Sequence, residues 1–376
     1  MSWICKSTLT LHFNHSFNIT PPTWHLDGDA VLKISLMAPV VLLSVCGNLS
    51  VMAVVYLTAS LRSTVNYLLV NLAVADFLFT IFCWPFVVNR ITSPLYVLDR
   101  PICKINVLVE VTSLTVSVLT LVAVACDRLY AVTMPIRARN ATDCPSTTIA
   151  TIWVVSVVVA LPSFYMRDLQ IVQWTDYSMK VCTDVLCSET IRQAFRYYHI
   201  LLVLILFFLP GAVMVLAYTV IVWKLWCVRA SGLSENQPQQ HLQARRKVVV
   251  MTVVVLAAFF ICWSPLNAIM LYDKLRNESQ EMPQWIEPAL FWIYFLAYFN
   301  SALNPLLYGG FSNNFRQGFR NFYRTLCRSN SACRRPYQPY RAPAEHHLAT
   351  PLPLERPAEQ PTQASFIHQD MIASST

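Results

Sequence analysis

The sequence predicts an all-α membrane protein, a bundle of seven transmembrane helices followed by an amphipathic eighth helix. Of its 376 residues, 55% are hydrophobic and 13% are charged, which is about half the charged fraction of a typical soluble domain. Seven apolar runs are each long enough to cross a bilayer, which takes about 20 residues. Because these runs are continuous rather than alternating, they predict helices and not the strands of a closed barrel.

The seven predicted spans set the domain organisation. They are Val31–Leu57, Asn66–Val88, Ile105–Ala131, Thr148–Tyr165, Tyr197–Trp226, Val248–Leu271 and Trp285–Tyr308. Residues 1–30 lack a short apolar core followed by a cleavage site, so we expect the first span to act as the insertion signal. The prediction is an extracellular N-terminus over residues 1–30, a bundle over 31–308, an amphipathic helix over 309–328 and a disordered cytoplasmic tail over 329–376.

Basic residues indicate the orientation in the cell membrane. Short cytoplasmic loops are enriched in Lys and Arg, and one set of span ends is basic while acids balance the bases at the other. This places the C-terminus inside the cell. The glycosylation motifs at Asn14, Asn18 and Asn277 then fall outside, whereas those at Asn48 and Asn140 fall in a span and an inner loop and are interpreted as chance matches.

Two segments outside the spans have patterns of their own. The stretch "DLQIVQWTDYSMKVCTDVLC" alternates apolar and polar residues on both sides of "TDYS", which predicts a β-hairpin. After Tyr308, four phenylalanines recur at helical spacing with arginines between them, which is typical of a helix lying on the membrane surface. Cys327 ends this helix and is a candidate for palmitoylation.

Polar side chains inside the spans are the first candidates for a functional site, because they are costly in lipid. The alternative is that they only hold helices together. One Asp with Ser and Asn residues on neighbouring spans would form a cage for water or a sodium ion, which prefers oxygen ligands. These residues are Asn48, Asp76, Glu110, Ser117, Asn267, Asn300, Ser301 and Asn304.

From Val31 to Cys327 the chain resembles the rhodopsin-like (class A) G protein-coupled receptors, most closely the neuropeptide receptors. The motifs that carry the resemblance occur in order, about one in each span. They are Gly47–Asn48, "NLAVAD" ending at Asp76, Cys103, "DRLYAV" from Asp127, Trp153, Pro210 with Tyr218, "CWSP" from Cys262 and "NPLLY" from Asn304 to Tyr308.

The resemblance implies a coupling switch. Arg128 is held by Asp127 at rest and meets the G protein when the sixth helix swings outward, and Ile136 inserts into the G protein. The usual "DRY" is here "DRL", with Leu129 third. The further switch residues implied are Tyr218, Asn304, Pro305, Tyr308 and the packing set Pro210, Val118 and Phe259.

The resemblance also implies a disulfide and an ion site. Cys103 would bridge to the second outer loop at Cys182, and the two outer cysteines that remain, Cys187 and Cys5, are a candidate second pair. An allosteric sodium ion is the one cofactor implied. Its site would comprise Asp76, Ser117, Asn300, Ser301 and Asn304.

The ligand is expected to be an extracellular neuropeptide, bound by Glu110, Trp263, Asn267 and Tyr298. Glu110 would pair with a cationic ligand group, supported by the Tyr298 hydroxyl. Two alternatives remain: a small cationic amine held by Glu110, or a Glu110 that is neutral or paired with Arg90 or Arg100. The implied partners are a heterotrimeric G protein, arrestin, receptor kinases and membrane lipid, with no nucleic acid.

Other functional classes are less consistent with the sequence. A transporter or channel predicts internal repeats or broken glycine-rich helices, and neither is evident. An enzyme needs a convergent set of nucleophile, base or metal ligands, and we find no such set. The seventh span contains no lysine, which disfavours a retinal-binding protein.

Overall fold

The structure, a computed structural model, describes residues 11–12, 27–93, 96–134, 145–173, 178–186, 188–230, 239–276 and 283–329. Within these residues seven helices are long and apolar enough to cross a membrane, which confirms the predicted bundle. The helices are α1 (Gly28–Leu57), α2 (Thr64–Thr92), α3 (Arg100–Thr133), α4 (Pro145–Met166), α5 (Glu189–Val203, a π-helical turn Leu204–Phe208, and Leu209–Ala230), α6 (Gln239–Leu275), α7 (Ile286–Phe311) and the amphipathic α8 (Asn313–Ser329).

Six of the seven spanning helices begin before the apolar run that predicted them, and α7 is the exception. Capping side chains help to set where a helix begins. The carboxylate of Asp27 accepts the amide of Ala30 at 2.8 Å at the start of α1. Ser188 caps α5 through the amide of Ile191 at 3.2 Å. These caps satisfy amides that the first turn leaves without a helical partner.

The π-helical turn in α5 has a local cause at Pro210. Proline has no amide hydrogen, and its ring clashes with the carbonyl one turn earlier. The backbone widens over Leu204–Phe208, just before this proline. Such π-bulges insert one residue into a helix and are frequent at functional sites.

A small sheet lies at one end of the bundle. Strand β2 (Arg167–Gln173) pairs antiparallel with β3 (Ser178–Asp184), which confirms the predicted hairpin. A third strand, β1 (Leu11–His12), pairs parallel to β2 and was not predicted, because two residues are too few to form a pattern. We call this end of the bundle the hairpin end, and the opposite end the Arg128 end.

Helix α8 folds back against α1 after one non-helical residue. Phe315 is buried, with its ring 5.6 Å from that of Tyr308. The Tyr323 hydroxyl lies 2.6 Å from the Ser50 hydroxyl on α1. Arg316 donates to the carbonyl of Gly310 at 2.6 Å and so caps the end of α7. Polar side chains of α8 therefore hold this helix against α1 and the end of α7.

The packing of α1 on α7 depends on a glycine, Gly47, at a close contact between them. A Cβ placed on Gly47 would lie 2.8 Å from the Cβ and Cγ of Pro305, a rigid ring that cannot rotate away. At Gly310 a Cβ would meet nothing within 4 Å.

We therefore expect Gly47→Ala to lower the free energy of unfolding by about 1–3 kcal/mol, the usual cost of overpacking. Gly310→Ala is the matched control. It should leave the melting temperature unchanged or raise it slightly, since alanine favours a helix. Scanning fluorimetry of both purified variants tests this. Equal melting temperatures would contradict the close α1–α7 approach.

Candidate functional site

A disulfide fixes the hairpin over the bundle. Cys103 in the first turn of α3 is bonded to Cys182 on β3, with their Cα atoms 5.8 Å apart. This confirms the predicted pairing. Cys5 and Cys187, the second suggested pair, both lie outside the described residues.

An ion pair adds a second attachment between α3 and the hairpin. Arg100 donates from Nε and Nη2 to the two carboxylate oxygens of Asp168 on β2, at 2.5 and 2.6 Å. The amide of Leu169 donates to the same carboxylate at 2.8 Å. Burial opposes ionisation of this carboxyl. The Arg100 and Leu169 hydrogen bonds and the charge of Lys104 outweigh it, and the pKa of Asp168 falls below its ordinary value.

A cavity of about 460 Å³ opens between α1, α2, α7 and β3. We call it the hairpin cavity. Its basic lining residues are Lys33, Arg90 and Lys180, and none of its described lining residues is an acid. Its aromatic lining residues are Phe86, Tyr96, Phe291 and Tyr294.

The four predicted ligand residues lie outside this lining. Trp263 and Tyr298 are buried, with their rings 5.9 and 4.9 Å from that of Phe79. Tyr298 is one turn further along α7 than Tyr294, which lines the cavity. The amide of Asn267 donates to the carbonyl of Trp263 at 2.9 Å, within α6. These residues therefore form a packed layer next to the hairpin cavity.

Glu110 does not contact the partners that the sequence suggested, which were the Tyr298 hydroxyl, Arg90 and Arg100. Its carboxylate accepts a hydrogen bond from the amide of Asn106 at 3.4 Å. The Tyr298 hydroxyl is buried without a partner among the described residues, so it does not support Glu110 in this arrangement. Arg100 is bound to Asp168, and the Arg90 guanidinium lies 5.8 Å from the ring centre of Tyr294.

A polar network joins the helices at mid-depth. Asp76 accepts hydrogen bonds from Ser301 at 2.9 Å and from Asn304 at 2.7 Å. The amide of Asn48 donates to the carbonyl of Ser301 at 3.1 Å. Ser117 and Asn300 are buried, but neither bonds to Asp76 in the described part of the chain. The structure thus brings together three of the five residues of the predicted cage.

Sequence reasoning missed the function of Asn71, which joins three helices. Its amide nitrogen donates to Thr120 on α3 at 2.8 Å, and its oxygen accepts from the Trp153 indole on α4 at 2.8 Å. The available signal was an amide within the apolar second span, in the same "NLAVAD" motif as Asp76.

The Arg128 end carries the predicted charge pair. The Arg128 guanidinium lies 3.2 Å from the carboxylate of Asp127. On the neighbouring helix Lys224 donates to the carbonyl of Thr133 at 3.0 Å, which joins α5 to the end of α3. Ile136 lies outside the described residues.

Between the two ends, the predicted packing residues are buried. Val118 is fully buried and Phe259 nearly so. The Phe259 ring centre lies 6.2 Å from that of Trp263. The buried Tyr308 hydroxyl has no partner among the described residues. Tyr218 is buried on α5, and Pro210 and Pro305 lie within α5 and α7.

Comparison with known proteins places these sites in a family. Residues 47–308 match the family model "7 transmembrane receptor (rhodopsin family)". The chain is 29% identical to the Substance-K receptor of Homo sapiens over 306 residues, 81% of this chain and 74% of that receptor. It is 28% identical to the Substance-P receptor of Rattus norvegicus over 322 residues, 84% of this chain and 75% of that receptor.

The Arg100–Asp168 pair predicts a pH-dependent stability. Because the folded-state pKa of Asp168 is lowered, its stabilisation is present at neutral pH and is lost as the pH falls through that lowered value. Asp168→Asn should therefore lower the melting temperature at pH 7 by a few degrees. The difference from the wild type should vanish in strong acid. Glu189→Gln, which breaks an exposed pair with Arg192, is the control and should have little effect. A wild-type melting temperature equal to that of Asp168→Asn at pH 7 would contradict a stabilising role of the Arg100–Asp168 pair.

Proposed function

The chain belongs to the rhodopsin family of seven-transmembrane receptors, the class A G protein-coupled receptors, and from that membership we propose that it binds an extracellular peptide and activates a heterotrimeric G protein. The similarity to substance-K and substance-P receptors over about four fifths of the chain carries this proposal. Receptors of this family are not enzymes.

The hairpin end supports a peptide rather than an amine. An amine receptor needs an acid in contact with the ligand's ammonium group. The described lining of the hairpin cavity is basic and aromatic instead. A cavity bounded by three helices and a strand also offers separate walls for several side chains. Glu110 remains available for a cationic group of the same peptide, since none of the described bases lies within ion-pair distance of it.

The basic residues at the Arg128 end support its assignment to the cytoplasm. Asn14, Asn18 and Asn277 are then the extracellular glycosylation sites. Cys327 lies near the end of α8, where a palmitoyl chain would reach the membrane. Arrestin and receptor kinases would use the same cytoplasmic surface as the G protein.

Activation follows from the charge pair and the packed layer above it. Arg128 has a counter-charge next to it at 3.2 Å, so its release costs free energy. A bound peptide shifts the equilibrium only by binding the open arrangement more tightly. Trp263 and Phe259 on α6 and Val118 on α3 belong to one buried core between the two ends. Their rearrangement lets α6 move away from α3.

The network around Asp76 supports an allosteric sodium ion. Its residues offer a carboxylate, hydroxyl groups and amide oxygens, the hard ligands that such a cation takes. The Oδ1 atom of Asn48 is buried without a partner in the described structure. Asp76, Ser301 and Ser117 would hold the ion, which would supply a positive charge beside the buried carboxylate.

A screen of a neuropeptide library on cells expressing the chain tests the proposal, with calcium and cyclic AMP as readouts. At least one peptide should activate. A nonhydrolysable GTP analogue should then lower its affinity, because coupling between the two binding sites is reciprocal. Binding that ignores the nucleotide would contradict the receptor assignment.

The charge pair predicts opposite effects for its two members. Arg128→Ala should abolish the response to an agonist at normal surface expression, because the G protein contact is lost. Asp127→Asn, an isosteric change, should raise basal signalling severalfold, because Arg128 loses its resting counter-charge. Arg62→Ala, which removes an exposed arginine bonded to the Tyr56 carbonyl, is the control. A normal response from Arg128→Ala would refute the assignment of the switch.

A further inference from the structure

We propose that the hairpin cavity binds a carboxylate of the peptide, together with an adjacent apolar or aromatic side chain. The inference rests on the proposed function and specifies the chemistry of the ligand. It follows from three independent features of the lining: unbalanced positive charge, cations held over aromatic rings, and a buried hydroxyl without a partner.

The charge of the lining is unbalanced. Arg90 on α2 and Lys180 on β3 have no acidic side chain within 4 Å among the described residues, and both are exposed. The third cation, Lys33, is paired with Asp29 in the first turn of α1, whose side chain is 62% exposed. Two positive charges therefore face one cavity whose described lining contains no acid, which favours an anion there.

Aromatic rings hold two of the cations on the α7 wall. Lys33 Nζ lies 5.7 Å from the ring centre of Phe291, and the Arg90 guanidinium lies 5.8 Å from that of Tyr294. At such distances the ring face attracts a cation. These contacts use the face of the ring, and at Arg90, which has no acidic partner among the described residues, they leave donor hydrogens available. The donors are therefore positioned before a ligand arrives, which lowers the entropy cost of binding.

Lys180, the cation on β3, is positioned by the hairpin. Lys180 lies two residues before Cys182, so both side chains project from the same face of β3. The disulfide to Cys103 fixes this part of the strand. Lys180 is thus held at the cavity by a covalent attachment to α3.

Tyr96 supplies a neutral donor at the same cavity. Its hydroxyl is buried and has no partner in the described residues. A buried polar group without a partner is costly, and a carboxylate oxygen would satisfy it. Burial, with the nearby charge of Asp99, raises the pKa of Tyr96 to about 12, so the phenol keeps its proton at neutral pH. Asn89 accepts the amide of Val97 at 2.9 Å and holds this loop in place.

The apolar part of the lining accounts for the second half of the proposal. Val87, Ile91 and Leu290 lie in the same lining as the aromatic rings. An inorganic anion would leave this surface uncovered, whereas a peptide group would cover it with a side chain next to its carboxylate. The carboxylate can come from an Asp or Glu side chain or from a free C-terminus, because both present the same two oxygens to the donors.

Three matched random peptide libraries of equal length test the proposal and separate the two sources. One has a free C-terminal carboxylate and no Asp or Glu. The second is amidated and contains Asp and Glu, and the third is amidated and contains neither. Each is selected on the purified full chain in nanodiscs. One acidic library should be enriched over the neutral one by roughly ten- to a hundredfold, the value of a charge-assisted hydrogen bond.

The double variant Arg90→Gln with Lys180→Gln should lose this preference. Arg192→Gln removes an exposed arginine that does not line the hairpin cavity, and it should keep the preference. Arg90→Lys with Lys180→Arg conserves both charges and should restore the preference, which separates loss of charge from misfolding.

The outcomes distinguish this inference from the proposed function. Equal enrichment of all three libraries would overturn the carboxylate site and leave a peptide receptor. An acid preference that survives in the double glutamine variant would place the anion elsewhere and would also overturn it. If no library were enriched, the peptide-receptor proposal and this inference would both fail.

Discussion

Inside the bundle a polar group can find a partner only in the protein or in something bound within it, because the hydrocarbon of the membrane offers none. Side chains of helix α2 form hydrogen bonds with most of the neighbouring helices. Asn71 bonds to α3 and α4, and Asp76 bonds to two residues of α7. Helix α1 joins the same network through Asn48. The five helices α1, α2, α3, α4 and α7 are therefore connected by side-chain hydrogen bonds at mid-depth.

Helix α6 is attached in a different way. At the hairpin end Arg196 of α5 donates to the main-chain carbonyls of Lys274 and Arg276, where α6 ends. Further along, its neighbours include aromatic rings, with Phe260 5.0 Å from Phe207. An aromatic pair contributes about 0.5–1.5 kcal/mol beyond its buried area, whereas a broken buried hydrogen bond costs about 1–3 kcal/mol. A helix whose end is fixed by main-chain hydrogen bonds is suited to pivot at that end, as the proposed activation requires.

The parts of the structure that depend on local sequence were predictable. The seven spans follow from apolar runs and the hairpin from an alternation, and the structure confirms both. The disulfide pairing, which the structure also confirms, was implied by the resemblance to the receptor family. The partner of Glu110 was not predictable, because the sequence gives the depth of a residue on its helix but not the neighbour it faces. The hairpin cavity was missed for the same reason. Its cations lie at positions 33, 90 and 180, and only the packing of three helices and a strand brings them together.

The disulfide gives the hairpin cavity a direct mechanical connection to the switch. Lys180 lies on β3, and β3 is bonded to α3 through Cys182 and Cys103. Helix α3 is 34 residues long, about 50 Å at 1.5 Å per residue, and carries Arg128 near its other end. A carboxylate that pulls Lys180 toward α2 and α7 therefore acts on the same helix that holds the charge pair. Connectivity alone does not make a switch. In the proposed activation the bistable element is the Asp127–Arg128 pair, and α3 would be the rigid body through which a contact at the hairpin end favours one of its two arrangements.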